Sequence, residues 1–292
     1  MTINLVKGLI ELLRPLEWSK TFGNMIIGAL LATMLNGAFD PILFFVGFVA
    51  VGPMLWGGLY ALNDWTDWEK DLLHAVKKKR PIPRGHVHPK FGLLYSILLI
   101  IGSFLVGIYV LNNHFFVLCL IAMLVNQFLY TLKPFNLKKR PGLDLISGSV
   151  INPIFRFFSG WVLFQPNFAA PIEILIFIVG VQFGGYTLYR MSSKKLETKL
   201  KYNSTIVMFG EKRIKLLAYL GILASGVAYV YSCFTALPIK FIWLAILSIL
   251  TVPFYLPALT DPQKMNMEKM YKLIYFHYIF FILGFIILYF LF

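Results

Sequence analysis

Acid is what this sequence has least of. Its 292 residues carry 13 Asp and Glu against 27 Lys and Arg, and the charged types together make 14% of the chain. So little charge excludes an ordinary soluble domain, in which apolar residues make about 45–50%. Here they make 59%, with a mean hydropathy of +0.74, and the expectation is an integral membrane protein. Cysteine is nearly absent. Cys119 and Cys233 both lie in apolar runs without metal-ligand spacing, which excludes a cysteine metal site and leaves two packing residues. No low-complexity tract, short-period repeat or soluble segment interrupts the chain, so residues 1–292 read as a single transmembrane domain. The start, MTINLVKGLIELLRP, lacks the n-region and h-region of a cleavable leader and reads as a short amphipathic helix.

What is abundant is apolar length and aromatic surface. Aromatics make 17% of the chain, 28 of them Phe, which suits lipid-facing walls and a ring-lined interior. Runs long enough to span a bilayer, roughly 17–25 residues, occur near 20–38, 42–63, 92–112, 114–131, 142–163, 170–189, 216–235, 238–258 and 273–292. This predicts an all-α integral membrane fold of nine transmembrane helices. The third and fourth are joined by Asn112 and Asn113, a tight antiparallel hairpin. Segments 1–20, 64–90, 132–141, 190–215 and 259–272 hold 25 of the 27 Lys and Arg, whereas the intervening linkers hold none. Arg156 and Lys240 are the exceptions. The net charge of +14 is thus explained by the positive-inside rule rather than by nucleic acid as a partner. It places the N-terminus and every second loop in the cytoplasm. The prominence of Lys and Ile over Arg and Ala, and of Asn over Arg, points to an AT-rich prokaryotic genome, and so to the cytoplasmic membrane.

The chemistry concentrates in Asn63 to Gly85, NDWTDWEKDLLHAVKKKRPIPRG, directly behind the second apolar run. If the helix continues past Leu62, Asn63, Asp67 and Asp71 stand at i, i+4 and i+8, with Asp64 beside them. Like charges this close need neutralising, and hard divalent cations with oxygen ligands do that. Lys77, Lys78, Lys79, Arg80 and Arg84 follow. Acids that hold Mg²⁺ beside bases that hold phosphate oxygens make a diphosphate-binding surface. The plainer alternative is a solvated helix end with surface ion pairs, but acid at a membrane boundary is costly and usually functional. The two longest cytoplasmic loops follow the second and sixth helices, which suggests two related active-site loops.

NDWTDWEKD has the form N-D-x-x-D-x-x-x-D and resembles the first aspartate-rich motif of the UbiA superfamily of intramembrane prenyltransferases. Arg14-Pro15 with Trp18-Ser19-Lys20 looks like that family's R-P-x-x-W-x-K entry. Tyr130-Thr131-Leu132-Lys133-Pro134, then Lys138-Lys139-Arg140-Pro141-Gly142-Leu143-Asp144, looks like its Y-S-x-P-x-x-L-K-x-R-P-G-L-D stretch. Thr205-Ile206-Val207 and Phe209-Gly210 resemble its T-x-A-V-x-x-G segment. The resemblance covers nearly the whole chain. It implies nine helices around a central cavity, with active-site loops after helices two and six, facing the cytoplasm. The family's second motif, D-x-x-x-D, should fall near Met191 to Thr198. Here those residues are MSSKKLET, with Lys194 and Thr198 in place of the aspartates. The acids of a second full Mg²⁺ site are therefore missing, and lysine can offset diphosphate charge directly.

Prenyl transfer ionises an allylic C–O bond, and preorganised cations stabilise the departing diphosphate. Mg²⁺ on Asn63, Asp64, Asp67 and Asp71, with Lys77, Arg80 and Lys133, would supply that charge. Asp64, Asp67, Asp71, Tyr130 and Lys133 are the expected catalytic residues. Asn63, Lys77, Arg80, Asp144, Arg156, Tyr189 and Lys194 are the expected substrate contacts. Tyr60, Tyr130, Tyr186 and Tyr189 offer aromatic faces to a carbocation, or belong to the interfacial belt. Lys77 and Arg80 read as phosphate contacts or as positive-inside charges. Arg156, inside the fifth helix, reads either as a structural partner of Asp144 or as a substrate contact. Asp144 reads equally as that partner, as a helix N-terminal charge or as a site residue. Lys194 and Glu197 read as a solvated loop pair or as ligands. Asn24 and Asn126 read as interhelical hydrogen-bonding residues. His74 is a further possible ligand, while His86, His88, His114 and His277 read as surface or packing.

The expected activity is Mg²⁺-dependent transfer of a polyprenyl group from its diphosphate to a lipophilic acceptor. One branch of the superfamily transfers phosphoribose to a polyprenyl phosphate instead. Asp71-x-x-His74-x-x-Lys77-x-x-Arg80-Pro81-Ile82-x-x-Gly85 resembles that branch's D-x-x-H-P-x-K-x-x-R-P-I-x-x-G, with Ala75 for the proline. Lys194, Lys195 and Glu197 resemble its basic second region. A third reading is a non-catalytic relative that binds an isoprenoid.

Overall fold

The computed structural model describes residues 2–72, 77–191, 194–199, 202–260 and 267–291. All the regular structure among them is helical. In chain order the helices are α1 (Thr2–Leu12), α2 (Trp18–Asn36), α3 (Pro41–Asp71), α4 (Pro89–Val110), α5 (His114–Thr131), α6 (Leu143–Ile146), α7 (Asn152–Trp161), α8 (Ile172–Met191), α9 (Lys194–Lys199), α10 (Thr205–Thr235), α11 (Ile242–Thr260) and α12 (Met267–Leu291). Helix covers each of the nine apolar runs. Among the described residues, α3, α4, α5, α8 and α10 are long and apolar enough to cross a membrane. The chain divides into two compact units, Met1–Lys133 with Phe155–Phe168 and Pro134–Ile154 with Ala169–Phe292.

In the first unit, α3 is the longest element, and its course is set by Pro53. Proline has no N–H for the preceding turn, and the helix widens to π winding over Ala50–Trp56, with Gly57 N–H donating to the Gly52 carbonyl. Such a bulge re-aims every side chain beyond it and is frequent at functional sites. Asp40 caps the start of α3 by accepting from the Ile42 and Leu43 amides at 2.8 and 3.1 Å. Small residues let the neighbours approach. Ser96 Oγ on α4 donates to the Gly58 carbonyl at 2.7 Å. A Cβ on Gly160 of α7 would lie 1.9 Å from the Met25 carbonyl oxygen of α2, and one on Gly28 of α2 would lie 2.3 Å from that of Phe157. In a bilayer, where apolar contact alone drives helices together weakly, close small-residue packing is a main source of association.

The second unit is built on the same device. Gly180 and Gly184 present one small stripe of α8 to Ala218, Gly221 and Ser225 of α10, and Ser225 Oγ donates to the Phe177 carbonyl at 2.9 Å. Phe177, Tyr229 and Phe281 make a ring cluster with centroids 4.7 to 5.3 Å apart, and Tyr229 donates to the Phe241 carbonyl at 2.9 Å. α10 bends where Gly210 takes φ +72°, a conformation that favours glycine.

Replacing Gly160 by Val is expected to lower stability by about 3 kcal/mol or prevent folding, because the added carbons meet backbone. Gly226→Ala is the control, since its Cβ would enter open space. Thermal unfolding in detergent, followed by size-exclusion, reads both.

Candidate active site

The polar end of α3 carries the site, and three segments of the first unit close on it. Asp64 and Asp71 are 2% and 3% exposed. Seven residues apart, they return to one side of the helix after two turns. The Arg80 guanidinium sits between them, with Nη1 3.0 Å from Asp64 Oδ1 and 2.8 Å from Asp71 Oδ2. Arg14, from the turn between α1 and α2, closes on Asp64 Oδ1 from another direction. Lys77 Nζ lies 3.8 Å from Asp71.

Each cation is placed by local structure. Arg14 has a left-handed backbone (φ 48°) that turns the chain before Pro15. The loop carrying Arg80 is anchored by Ile82 and Val87, which are buried with Leu12 of α1 and Ala61 of α3 among Leu5, Leu9, Trp65, Trp68 and Tyr95. Gly85, at φ +78°, reverses that loop, so that the His86 amide reaches the Pro81 carbonyl at 2.9 Å. Arg84 ties it to Glu11 of α1 at 2.5 Å. Burial lowers the Arg14 pKa, but the facing Asp64, with Tyr60 and Glu17, outweighs it and raises the value above the ordinary one. Arg14 is a cation throughout the working range.

The helix continues past Leu62 to Asp71, so Asn63, Asp67 and Asp71 fall at the expected spacing with Asp64 alongside, and burial divides them. The buried pair is Asp64 and Asp71. Asn63 and Asp67 are half-buried, and Asp67 lies 3.8 Å from the exposed Lys70. Among the described residues, no three acid, His or Cys side chains are gathered closely enough to hold a metal. The oxygen donors of Asn63, Asp64, Asp67 and Asp71 still suit a hard divalent ion in chemistry. Asp64 and Asp71 reach toward guanidinium because buried carboxylates require counter-charge.

The same face continues toward the π turn. Tyr60, one turn before Asp64, lies under the Arg14 guanidinium at 5.0 Å from ring centroid, and Trp56, one turn further, is 5.6 Å from Tyr60. Arg156 of α7 stacks on Trp56 at 3.8 Å, and Tyr60 is its hydrogen-bond partner. Asp144, expected as a structural partner of Arg156, falls in the other unit.

Asp144 belongs to a separate network in the second unit. It is fully buried and accepts from the Thr205 amide at 3.1 Å, from the Thr205 hydroxyl, and from Arg190 at 3.3 Å. Its position at a helix N-terminus, one of the expected alternatives, is found in the first turn of α6, where it also accepts from the Leu145 amide at 3.0 Å, and from there it reaches the start of α10. Arg190 also holds Glu197 at 3.0 Å, and Ser204 donates to the same carboxylate. The loop pair expected between Lys194 and Glu197 is replaced by Lys194–Glu211 at 2.7 Å, while Glu197 is buried. Tyr189 is half-buried on α8; Tyr130 is half-buried in the last turn of α5, and Lys133 is exposed just beyond it. His74 lies outside the described residues. Sequence reasoning missed Arg190, Ser204 and Trp56 as members of these networks. Arg14 and Thr205 were visible only as members of the family-like Arg-Pro and Thr-x-x segments.

A helical bundle with spans of membrane length, carrying buried carboxylates gripped by arginines at one helix end, defines a polytopic membrane protein with a charge network at its polar rim. The UbiA prenyltransferase family model matches residues 24–283, and the chain belongs to that family. It is 29% identical over 164 residues to protoheme IX farnesyltransferase of Leptospira biflexa, spanning 50% of this chain and 57% of that protein. It is 24% identical over 276 residues to digeranylgeranylglyceryl phosphate synthase of Methanosphaera stadtmanae, covering 90% and 91% of the two chains. The fold is similar to that of a UbiA homologue from Archaeoglobus fulgidus bound to DMAPP and Mg²⁺, with a TM-score of 0.73, 19% identity, and 94% and 99% coverage.

Replacing Asp144 by Ala is expected to leave Arg190 with a buried, half-compensated charge and to cost about 3 kcal/mol. Trypsin should then cut within 194–201 at least roughly tenfold faster than in wild type, since local opening follows local stability. An unchanged cleavage rate contradicts the latch.

Proposed function

We propose that the chain transfers an isoprenoid group from its diphosphate to a lipophilic acceptor, at the cytoplasmic rim of a prokaryotic membrane. The observation that carries this reading is the Arg14–Asp64–Arg80–Asp71–Lys77 network, whose two carboxylates are buried at the polar end of a membrane-length helix. Three cations on two carboxylates leave net positive charge where the diphosphate must sit. A relative's structure bound to DMAPP and Mg²⁺ supports the same donor class.

The residues divide the work. Asp64 and Asp71 hold Arg14 and Arg80 in place, so the guanidinium forks are preorganised before the substrate arrives. Arg80 and Arg14 would turn their N–H groups to the phosphate oxygens, and Asp64 and Asp71, with Asn63 and Asp67, are the residues that would hold Mg²⁺. When bound, Mg²⁺ would supply charge to the departing diphosphate. Lys77 and Arg80 stay with the leaving group as the C–O bond breaks. Tyr60 offers its ring face to the allylic cation, and apolar walls keep water out. Tyr130 and Lys133, at the end of α5, complete the phosphate side.

Phosphoribosyl transfer to a polyprenyl phosphate is the second reading. It is favoured by the basic second loop, where Arg190 and Lys194 stand in the region of the family's second acid motif and Glu197 is already engaged.

Membranes of cells expressing the chain, given labelled geranyl, farnesyl and geranylgeranyl diphosphates or phosphoribosyl diphosphate with a lipid extract as acceptor, test the choice. A prenyl donor should be consumed, EDTA should abolish turnover, and Asp64→Ala or Asp67→Ala should reduce it by roughly 10²-fold or more. Consumption of phosphoribosyl diphosphate alone selects the second reading. Consumption of neither contradicts both and leaves a non-catalytic isoprenoid binder.

A further inference from the structure

Arg156 is 5% exposed inside the bundle of the first unit, and its Nε–H has no hydrogen-bond partner. Among the described residues it makes no ion pair. Its neighbours are the Trp56 ring at 3.8 Å and the Tyr60 hydroxyl. The other cations of this face are matched: Arg14 and Arg80 by Asp64 and Asp71, and Lys20 by Glu17 at 2.8 Å. A ring face offsets part of a buried guanidinium's desolvation but does not replace a carboxylate. Buried charges are retained when something that binds supplies the opposite sign.

We infer that Arg156 receives the anionic group of the acceptor, a phosphate monoester or a carboxylate, and so restricts the enzyme to anionic acceptors. This rests on the prenyl-transfer reading. Position argues for the acceptor and against the diphosphate. Arg156 lies on Trp56 and at the Tyr60 hydroxyl, on the turns of α3 that precede Asp64, whereas Arg80 and Lys77 gather at Asp64 and Asp71, so a diphosphate held by Arg80 and Lys77 leaves Arg156 to a second anion. Charge argues the same way. An uncompensated guanidinium near the ring of Tyr60 would oppose the allylic cation, whereas an anion on Arg156 restores neutrality and draws the nucleophile towards it. Arg156 fixes the acceptor through paired N–H donors, and Trp56 keeps the guanidinium plane oriented, a geometry lysine does not reproduce.

The test is equilibrium binding to the purified full-length protein in detergent, with 1-oleoylglycerol 3-phosphate, oleate and neutral 1-oleoylglycerol as probes and geranyl diphosphate measured in parallel. Wild type should prefer one or both anionic lipids over the neutral one by roughly 10–100-fold, the worth of charge-assisted hydrogen bonds. Arg156→Gln should remove that preference and change geranyl diphosphate affinity less than about threefold; Arg156→Lys should keep part of it. General attraction to a chain of net charge +14 cannot mimic this, because one charge in the net total is altered. A preference that survives Arg156→Gln overturns the assignment, as does a variant that loses geranyl diphosphate instead. If Arg156→Gln does not fold, equal affinity of wild type for anionic and neutral lipids overturns it, and a preference weakened in Arg156→Lys supports it. Wild type that keeps the preference yet binds no geranyl diphosphate supports the anion site and contradicts prenyl transfer.

Discussion

Two carboxylates buried at the end of a membrane helix need opposite charge, and the first unit is arranged around supplying it. Asp64 and Asp71 sit where water is scarce and the cost of an unpaired ion is several kcal/mol. That demand brings Arg14 in from the α1–α2 turn and Arg80 in from the loop after α3, and it explains why the loop is anchored by Ile82 and Val87 rather than left to solvent. A buried ion pair is poor evidence for stability. On the proposed function its use is positional, because guanidinium groups held by carboxylates are already in place for a phosphate. On that reading, the same site is a closed salt network that becomes a receptor when its members exchange partners.

The second unit meets the same constraint with a different result. Asp144, Arg190 and Glu197 also form a buried chain of charge, but its outer members are the Thr205 amide and hydroxyl and the Ser204 hydroxyl. These groups fix the start of α10 and the adjoining turn. A carboxylate that accepts this many hydrogen bonds from its own chain has little left for a ligand. The family-like P-G-L-D segment is therefore read best as an organising element, with Gly142 at φ +80° giving its N–H to the Thr205 hydroxyl at 2.7 Å.

Helix positions were legible from the apolar runs, because span length and hydropathy are local properties. The importance of residues 63–85 was legible too, since acid is rare in this chain and its clustering stands out. Which acids would be buried was not. Counting i+4 steps from Asn63 favours Asp67, but the orientation of α3 beyond Pro53 is set by a π turn, and the partner that selects Asp64 and Asp71 is Arg80, nine residues past the helix end. Arg156 was conspicuous as a charge within a span, yet its contact with Trp56 depends on how closely α2 and α7 approach through Gly28 and Gly160. Pairings of long side chains across elements follow from packing, and spacing along one chain does not encode them.

On the proposed function, Asp64 and Asp71 would give up their arginines to a diphosphate before they could hold a divalent ion. Electron paramagnetic resonance of Mn²⁺ with purified protein, with and without the inert donor geranyl S-thiolodiphosphate, measures this directly. The account predicts weak Mn²⁺ binding to the protein alone, tightened roughly tenfold or more by the analogue and lost in Asp64→Asn. Equally tight Mn²⁺ binding without the analogue, indifferent to Asp64, would contradict it.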